Sequence, residues 1–309
     1  MPVRPWSPVP APRPLPDIAL AGDYLPQDVQ RRLRDAMWVR SRRGVYLAPE
    51  AVAGRTPAAL AHVAATHART PSPHVFSHGS AALLWGLTLW SVPTVTHLYQ
   101  RHHPGAGCDR SVRRHTAPVA EDAATCLNGI PVTTLERTVV DCARSMAPLA
   151  GLVVADSGLR AGASPDVLRE LLERGSTSPG MARARAVLEL ADAGSESAWE
   201  TATRFVLLAG GLPRPATQIA VATRLGTFWA DTGWEEWHLL LEYDGRGKYR
   251  GTEDLVREKR RHDAVVETGQ RLLRVTKEDV RAPAALLSRV TRLLPADIPH
   301  VRRPHLRAR

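Results

Sequence analysis

The sequence predicts a mixed chain of the α+β / α/β class: a helix-and-hairpin unit at the N-terminus, a mixed α/β middle and a C-terminal mixed sheet flanked by helices. Three observations carry this expectation. Apolar residues recur at helical spacing in several segments. Two-residue alternation replaces that pattern at 92–100 and 238–244. Clusters rich in Gly and Pro separate the two kinds of stretch. With 309 residues the chain can form two or three domains, each with a sizeable core. The divisions expected are a Pro-rich arm at 1–16, a winged-helix-like and helical region at 17–90, a mixed α/β region at 91–175, a sheet domain at 195–295 and a basic tail at 296–309.

Lys and Arg total 41 against 31 Asp and Glu, a formal charge of +10. Most of the excess is arginine, whose planar fork matches phosphate geometry, so a polyanionic partner is expected. The alternative is a general preference for arginine together with a basic tail. Cys108, Cys126 and Cys142 are too few and too irregularly spaced for a disulfide framework or a zinc knuckle, which fits a reducing compartment. No stretch reaches the roughly 18 consecutive apolar residues of a membrane helix. A cytoplasmic protein without membrane partners is expected.

The first sixteen residues hold seven prolines and predict a mobile, polyproline-like arm. From Pro26, residues Val29, Leu33 and Met37 recur at helical spacing, with Arg31, Arg32 and Arg34 on the other side. Residues 38–47 then read as two short strands around a turn at 42–44. A helix followed by a basic hairpin is the order of a winged helix-turn-helix. This hairpin, Arg42-Arg43-Gly44-Val45-Tyr46-Leu47, and the later Ser77-His78-Gly79-Ser80-Ala81-Ala82-Leu83-Leu84-Trp85-Gly86-Leu87 resemble the antitoxins of AbiEi-type abortive-infection systems over residues 20–145. The resemblance implies a wing that reaches DNA phosphate through Arg40, Arg42 and Arg43, and a cognate toxin as a possible partner. Only about ten residues separate the arm from the Pro26 helix, so the winged helix is a reduced one.

Residues 57–69 and 77–85 read as helices and 92–100 as a strand. His78 stands at a helix entrance with no acid or nucleophile at matching spacing, and reads as a packing residue. The spacing of His102, His103, Cys108 and His115 fits no zinc pattern. Thr133 and Glu136 stand at capping-box spacing before a stripe of Leu135, Val139, Val140 and Cys142, with Asp141 and Arg144 on a solvated or salt-bridged face. Ser164-Pro165 opens a further helix, and 175–180 reads as a linker to a helix around 182–191.

The chemistry-bearing stretch is 228–249. Asp231 ends one apolar run, Glu242 and Asp244 end the next, and a turn-rich gap lies between them. As a hairpin, Leu240, Glu242 and Asp244 share one face, while Leu239, Leu241 and Tyr243 share the other. Two carboxylates about 4 Å apart repel by roughly 4 kcal/mol at an effective dielectric near 20, so a cation, a raised pKa or a basic partner is needed. Magnesium or manganese suits such an oxygen-donor set.

Ser197-x-x-Glu200, Gln218, Asp231, Glu242-Tyr243-Asp244-Gly245 and Lys248-Tyr249 together resemble the restriction-endonuclease-like superfamily. Within it the likeness is to proteins related to very-short-patch-repair nucleases, over about 195–280. The resemblance implies metal-dependent phosphodiester hydrolysis on DNA, with Asp231, Glu242 and Asp244 as metal ligands and Glu200 beside the metal. Gln218 would bond a phosphate or a carboxylate. The usual lysine two residues after the glutamate is replaced by Asp244, leaving Lys248 and Lys259 as candidates for the basic group. Leu255, Lys259, Asp263 and Val266 share a helical stripe, which turns Lys259 inward toward the acids or leaves it at the core edge. Ser197 and Glu200 also form a capping-box pair, a reading that needs no chemistry. The rival function is a non-enzymatic DNA-binding regulator or antitoxin that uses the C-terminal half as a scaffold.

Overall fold

The computed structural model describes residues 9–101, 109–245 and 252–306. Near the N-terminus, β1 (Ala19–Leu20), α1 (Pro26–Arg34), β2 (Val39–Arg42) and β3 (Val45–Leu47) form a small unit whose strands lie in the order β1-β3-β2. The turn at Gly44 has φ +74°, a conformation that glycine adopts without steric cost. Trp38 stacks on Tyr46 and takes the Arg32 guanidinium over its other contacts at 4.7 Å. Met37 lies beyond the end of α1 and is exposed, so the expected stripe is reduced to Val29 and Leu33.

α2 (Arg55–Ala68), β4 (Val75–Phe76), α3 (His78–Leu84), β5 (Thr96–Gln100), β6 (Val112–Thr116), β7 (Ala124–Leu127) and β8 (Ile130–Thr133) build the middle sheet, in the order β6-β5-β4-β8-β7. Leu60 and Val63 of α2 and Ala81, Leu83 and Leu84 of α3 cover Phe76, Leu98, Val112 and Val132 of this sheet. α4 (Leu135–Ser145), α5 (Pro148–Arg160), α6 (Pro165–Arg174) and α7 (Met181–Glu189) follow as a helical layer. The N-cap of α4 is Thr134, whose hydroxyl accepts the N–H of Arg137, rather than Thr133. Glu136 accepts the backbone N–H of Ser164 instead of closing a box.

The C-terminal unit runs α8 (Ala198–Ala209), β9 (Ala216–Thr223), β10 (Gly226–Trp234), β11 (Leu239–Tyr243), α9 (Thr252–Val266), β12 (Arg271–Val275), α10 (Lys277–Arg281) and α11 (Pro283–Thr291). Its strands lie in the order β12-β11-β10-β9. β9, β10 and β11 form an antiparallel meander, and β12 pairs parallel with β11 after the α9 crossover. Ala202 and Leu207 of α8 and Leu286 and Val290 of α11 cover Leu239, Leu241 and Val275 on one face. Val265 of α9 packs on Ile219, Val221, Ala230 and Leu240 on the other.

Over the described residues the chain is therefore mixed α/β, with three sheets flanked by helices. No helix among the described residues is long and apolar enough to cross a membrane.

Residues 175–180 do not interrupt the core. One buried cluster joins Ala82, Val139, Leu152 and Met181 to Leu208 and Leu306. Across it, Arg204 of α8 grips Asp156 of α5 through Nη2 at 2.8 and 2.6 Å, with both side chains at most 1% exposed. Neither terminal segment is free where it is described. Arg13 donates its N–H to the Leu84 carbonyl, and Leu15 packs on the middle sheet. At the other end Arg303 bonds the carbonyls of Leu208 and Leu212, and Leu306 is buried. The expected mobile arm and tail are, over these residues, docked: a proline-rich strand lacks ladder donors but can still bury apolar side chains.

Candidate active site

The acidic corner forms where β10 and β11 part. Their pairing runs Trp234↔Leu239, Gly233↔Leu240 and Thr232↔Leu241, so Asp231 and Glu242 occupy the next register position. There the ladder is replaced by a side chain: Asp231 Oδ2 accepts the backbone N–H of Tyr243 at 2.8 Å. Gly233 permits the close approach behind it, because a Cβ at that position would lie 2.3 Å from the Leu239 carbonyl oxygen.

On the other side of β10, Gln218 stands opposite Asp231 with φ +52°, between the pairs Ala230↔Ile219 and Thr232↔Thr217. The strand changes parity at this point. Phe228 and Ala230 lie in the α9 cluster, whereas Trp234 lies in the α8 cluster. Asp231 thus sits at the crossover, adjacent to both faces.

Glu200 approaches from α8. Ser197 Oγ accepts the Glu200 N–H at 3.2 Å, and Glu200 Oε2 accepts the Glu196 N–H at 2.7 Å. The capping reading therefore holds in part, and the carboxylate remains at the sheet. Burial and then the Asp231 charge push the Glu200 carboxyl up to about 7.

Glu242 approaches from the α9 side. Burial raises its pKa, Arg261 opposes that, and Asp231 and Glu258 reinforce it. Asp231 is thus electrostatically coupled to both glutamates, as expected for three acids sharing one corner. Alternation along β11 is as the sequence predicts: Leu239 and Leu241 face α8, Leu240 faces α9, and Tyr243 stacks on Trp199 of α8 at 5.6 Å.

Two arginines hold the α9 side. Arg261 Nη2 bonds Glu242 Oε1 at 2.5 Å, and its guanidinium lies 5.3 Å from the centre of the Phe228 ring. Arg274 bonds Glu258 at 2.7 Å and approaches Asp244 at 3.5 Å. Asp244 and Glu258 are therefore bridged by one arginine.

Lys259 is corrected by the helix phase. Among the described side chains of α9, Glu258, Arg261, His262, Ala264 and Val265 are at least half-buried, while Lys259, Asp263 and Val266 are exposed; Leu255 lies outside them. Among the described residues the cations against the acids are Arg261 and Arg274, which sequence reasoning passed over; the i,i+3 spacing of Arg261 from Glu258 is the available signal for the first. Lys248 lies outside the described residues. Lys277 places its ammonium 5.5 Å from the Trp199 ring, at the α8 side of the same corner.

Gln218 is not turned to a phosphate. Its Nε2 donates to the Gly194 carbonyl at 2.8 Å, while its Oε1 is buried without a hydrogen-bond partner among the described residues. In the N-terminal hairpin Arg40 and Arg43 are exposed, as the wing reading requires. Arg42 is not: it turns inward to Thr66 at 2.6 Å and to Asp109. Arg31 and Arg32 are likewise engaged, by Asp28 and by the Tyr24 and Trp38 rings.

No family model matches the chain. Among curated proteins it is similar to the uncharacterized proteins MT2308, of Mycobacterium tuberculosis strain CDC 1551 / Oshkosh, and Rv2248, of strain ATCC 25618 / H37Rv. Each is 26% identical over 272 residues, which is 87% of this chain and 96% of the relative. The likeness thus runs through nearly the whole length of both relatives.

Proposed function

We propose that the chain is a magnesium- or manganese-dependent DNA endonuclease whose C-terminal unit is restriction-endonuclease-like. The observation that carries this reading is the position of Asp231, at the parting of two antiparallel strands and coupled to Glu200 on one side and Glu242 on the other. The order α8-β9-β10-β11-α9-β12, with a mixed sheet between α8 and α9, supports it.

Among the described residues, no three carboxylates of this corner bring their donor atoms within 4.8 Å of one another, so a hard divalent ion would have to draw Glu200, Asp231 and Glu242 together. The Asp231 charge helps to raise the neighbouring Glu200 carboxyl, and oxygen donors of this kind are what such ions take. A bound ion would supply Lewis-acid polarisation of a phosphoryl oxygen and a water of lowered pKa.

The chain's own groups do the rest. The Tyr243 N–H orients Asp231. Glu200 holds a proton near neutral pH and gives it up when positive charge enters the corner. Arg261 keeps Glu242 in place and is positioned to offset negative charge that develops on a phosphodiester. Arg40 and Arg43 are exposed cations suited to backbone phosphate elsewhere on the duplex.

The test is a nicking assay on single-stranded, duplex and mismatched DNA with magnesium, manganese or a chelator. Wild-type protein should nick only with the metals. Asp231→Ala and Glu242→Ala should lose at least about a hundredfold in rate while binding DNA nearly as well. Binding without cleavage by the wild type, or equal residual nicking in the variants, would leave a basic DNA-binding protein and remove the enzyme.

A further inference from the structure

A second cluster of donors lies in the middle sheet, away from the carboxylates. His78 opens α3 directly after β4, His97 lies on β5, and His115 lies on β6 opposite Tyr99. One ring nitrogen from each converges with the others to within 4.8 Å. His97 Nδ1 and His115 Nε2 are 3.1 Å apart. Two nitrogens on one tetrahedral zinc, each bound at about 2.0–2.1 Å, stand about 3.3–3.4 Å apart, so this pair is already near ligand spacing. His78 Nδ1 bonds Ser77 Oγ at 2.9 Å, which leaves Nε2 as the free nitrogen, the arrangement common for metal-bound imidazole.

Two further observations separate this cluster from ordinary core histidines. His78 holds a left-handed backbone, φ +51°, which is costly for a residue with a Cβ and tends to be kept where a side chain must be aimed. The three rings also enclose one another: His78 is 2% exposed and stacks on His115 at 4.1 Å. Burial first, and then neighbouring positive charge, lowers His78 to about 2 and His97 to about 4.

A pocket adjoins one of the three rings. His115 lines a pocket of about 710 Å³ together with Tyr99, Arg114, Arg137, Asp141 and Arg144. Asp141 is fully buried there, bound by Tyr99, Arg137 and Arg144 at 2.9 to 3.1 Å. Arg114 Nη1 is buried without a hydrogen-bond partner among the described residues.

We infer that His78, His97 and His115 form a three-imidazole site for a borderline-soft divalent metal of the zinc class, with a fourth position open to water or an oxyanion from the arginine-lined pocket. Three neutral nitrogens without a carboxylate select zinc, cobalt or copper over magnesium. The three-histidine, one-open-position pattern is that of exchangeable rather than sealed zinc sites. Loading requires the His97–His115 hydrogen bond to break and the His78 ring to leave its stack, so the bound and free states differ visibly at three side chains.

The test uses the full chain, stripped with a chelator and titrated with cobalt(II) or zinc(II). Cobalt should give a tetrahedral visible absorption at about one ion per chain. His97→Ala and His115→Ala should each weaken binding at least about tenfold. Asp231→Asn/Glu242→Gln should leave the cobalt spectrum unchanged, which keeps this site distinct from the carboxylate corner. Should the histidine variants misfold, wild-type ring resonances decide: zinc must shift three histidines, and magnesium must not. No visible band, a spectrum lost in the Asp231→Asn/Glu242→Gln variant, or three unmoved histidine resonances would each overturn the site.

Discussion

The carboxylate corner of the C-terminal sheet and the histidine–arginine corner of the middle sheet gather polar groups in different electrostatic states. Around Asp141 the charges are closed: one buried carboxylate, two arginines and a tyrosine hydroxyl satisfy one another, and the nearby imidazoles are neutral. Around Asp231 acids meet from two sides. Arg261 and Arg274 compensate the α9 side, while burial and Asp231 leave the Glu200 carboxyl raised to about 7. A satisfied network specifies structure, whereas a carboxyl raised by burial and a neighbouring acid marks a candidate functional site. The ions proposed for the two corners differ accordingly, a hard one at the carboxylates and a softer one at the imidazoles.

The contrast can be broken in order of effect. Asp231→Asn keeps the shape of the side chain and should reduce metal-dependent nicking at least about a hundredfold, with little change in melting temperature. A comparable rate would mean that the corner is structural. The link between the halves is the next largest: Asp156→Ala strands the buried Arg204 guanidinium and should cost about 3–5 kcal/mol in denaturant unfolding. A loss below about 1 kcal/mol would show that α5 and α8 are not joined by this pair.

Arg261→Met removes the compensation of Glu242. It should lower the nicking rate about tenfold and decrease the magnesium concentration needed for half the maximal rate, since the arginine no longer competes for the carboxylate. An increased magnesium requirement would place Arg261 with the metal-holding groups instead.

Glu200→Gln is the smallest and has a definite sign. A carboxyl raised from its ordinary value to about 7 binds more protons folded than unfolded, so its ionisation lowers stability as pH rises from about 4.5 to about 7. Without metal, the glutamine variant should be more stable than wild type at pH 8, by on the order of 1–3 kcal/mol, and equal to it at pH 4. Equal stability at both pH values would mean that Glu200 is not strained by Asp231.

Much of the C-terminal unit is legible in the sequence because alternation along 239–243 depends only on nearest neighbours. Leu239, Leu240 and Leu241 fall on the faces their parity assigns, and turn residues mark the gap before them. The phase of α9 was not legible: its apolar residues are sparse, and Val266, which suggested the stripe, is exposed while Ala264 and Val265 are buried. A one-residue rotation then exchanged Lys259 for Arg261. The Asp231 crossover lies opposite the positive φ of Gln218, which no residue type announces. The histidine cluster was hidden for another reason: its members come from a helix start and two parallel strands, and spacing along the chain does not encode that pairing. Arg42 shows the same limit, since its partners Thr66 and Asp109 lie 24 and 67 residues away.

The most direct measurement is the titration of the Glu200 carboxyl by carbon NMR, with and without magnesium. The metal-free protein should show Glu200 titrating near 7, and saturating magnesium should lower that midpoint by at least about two units as the proton is displaced. A midpoint that magnesium leaves in place would contradict a cation site built on Glu200, Asp231 and Glu242.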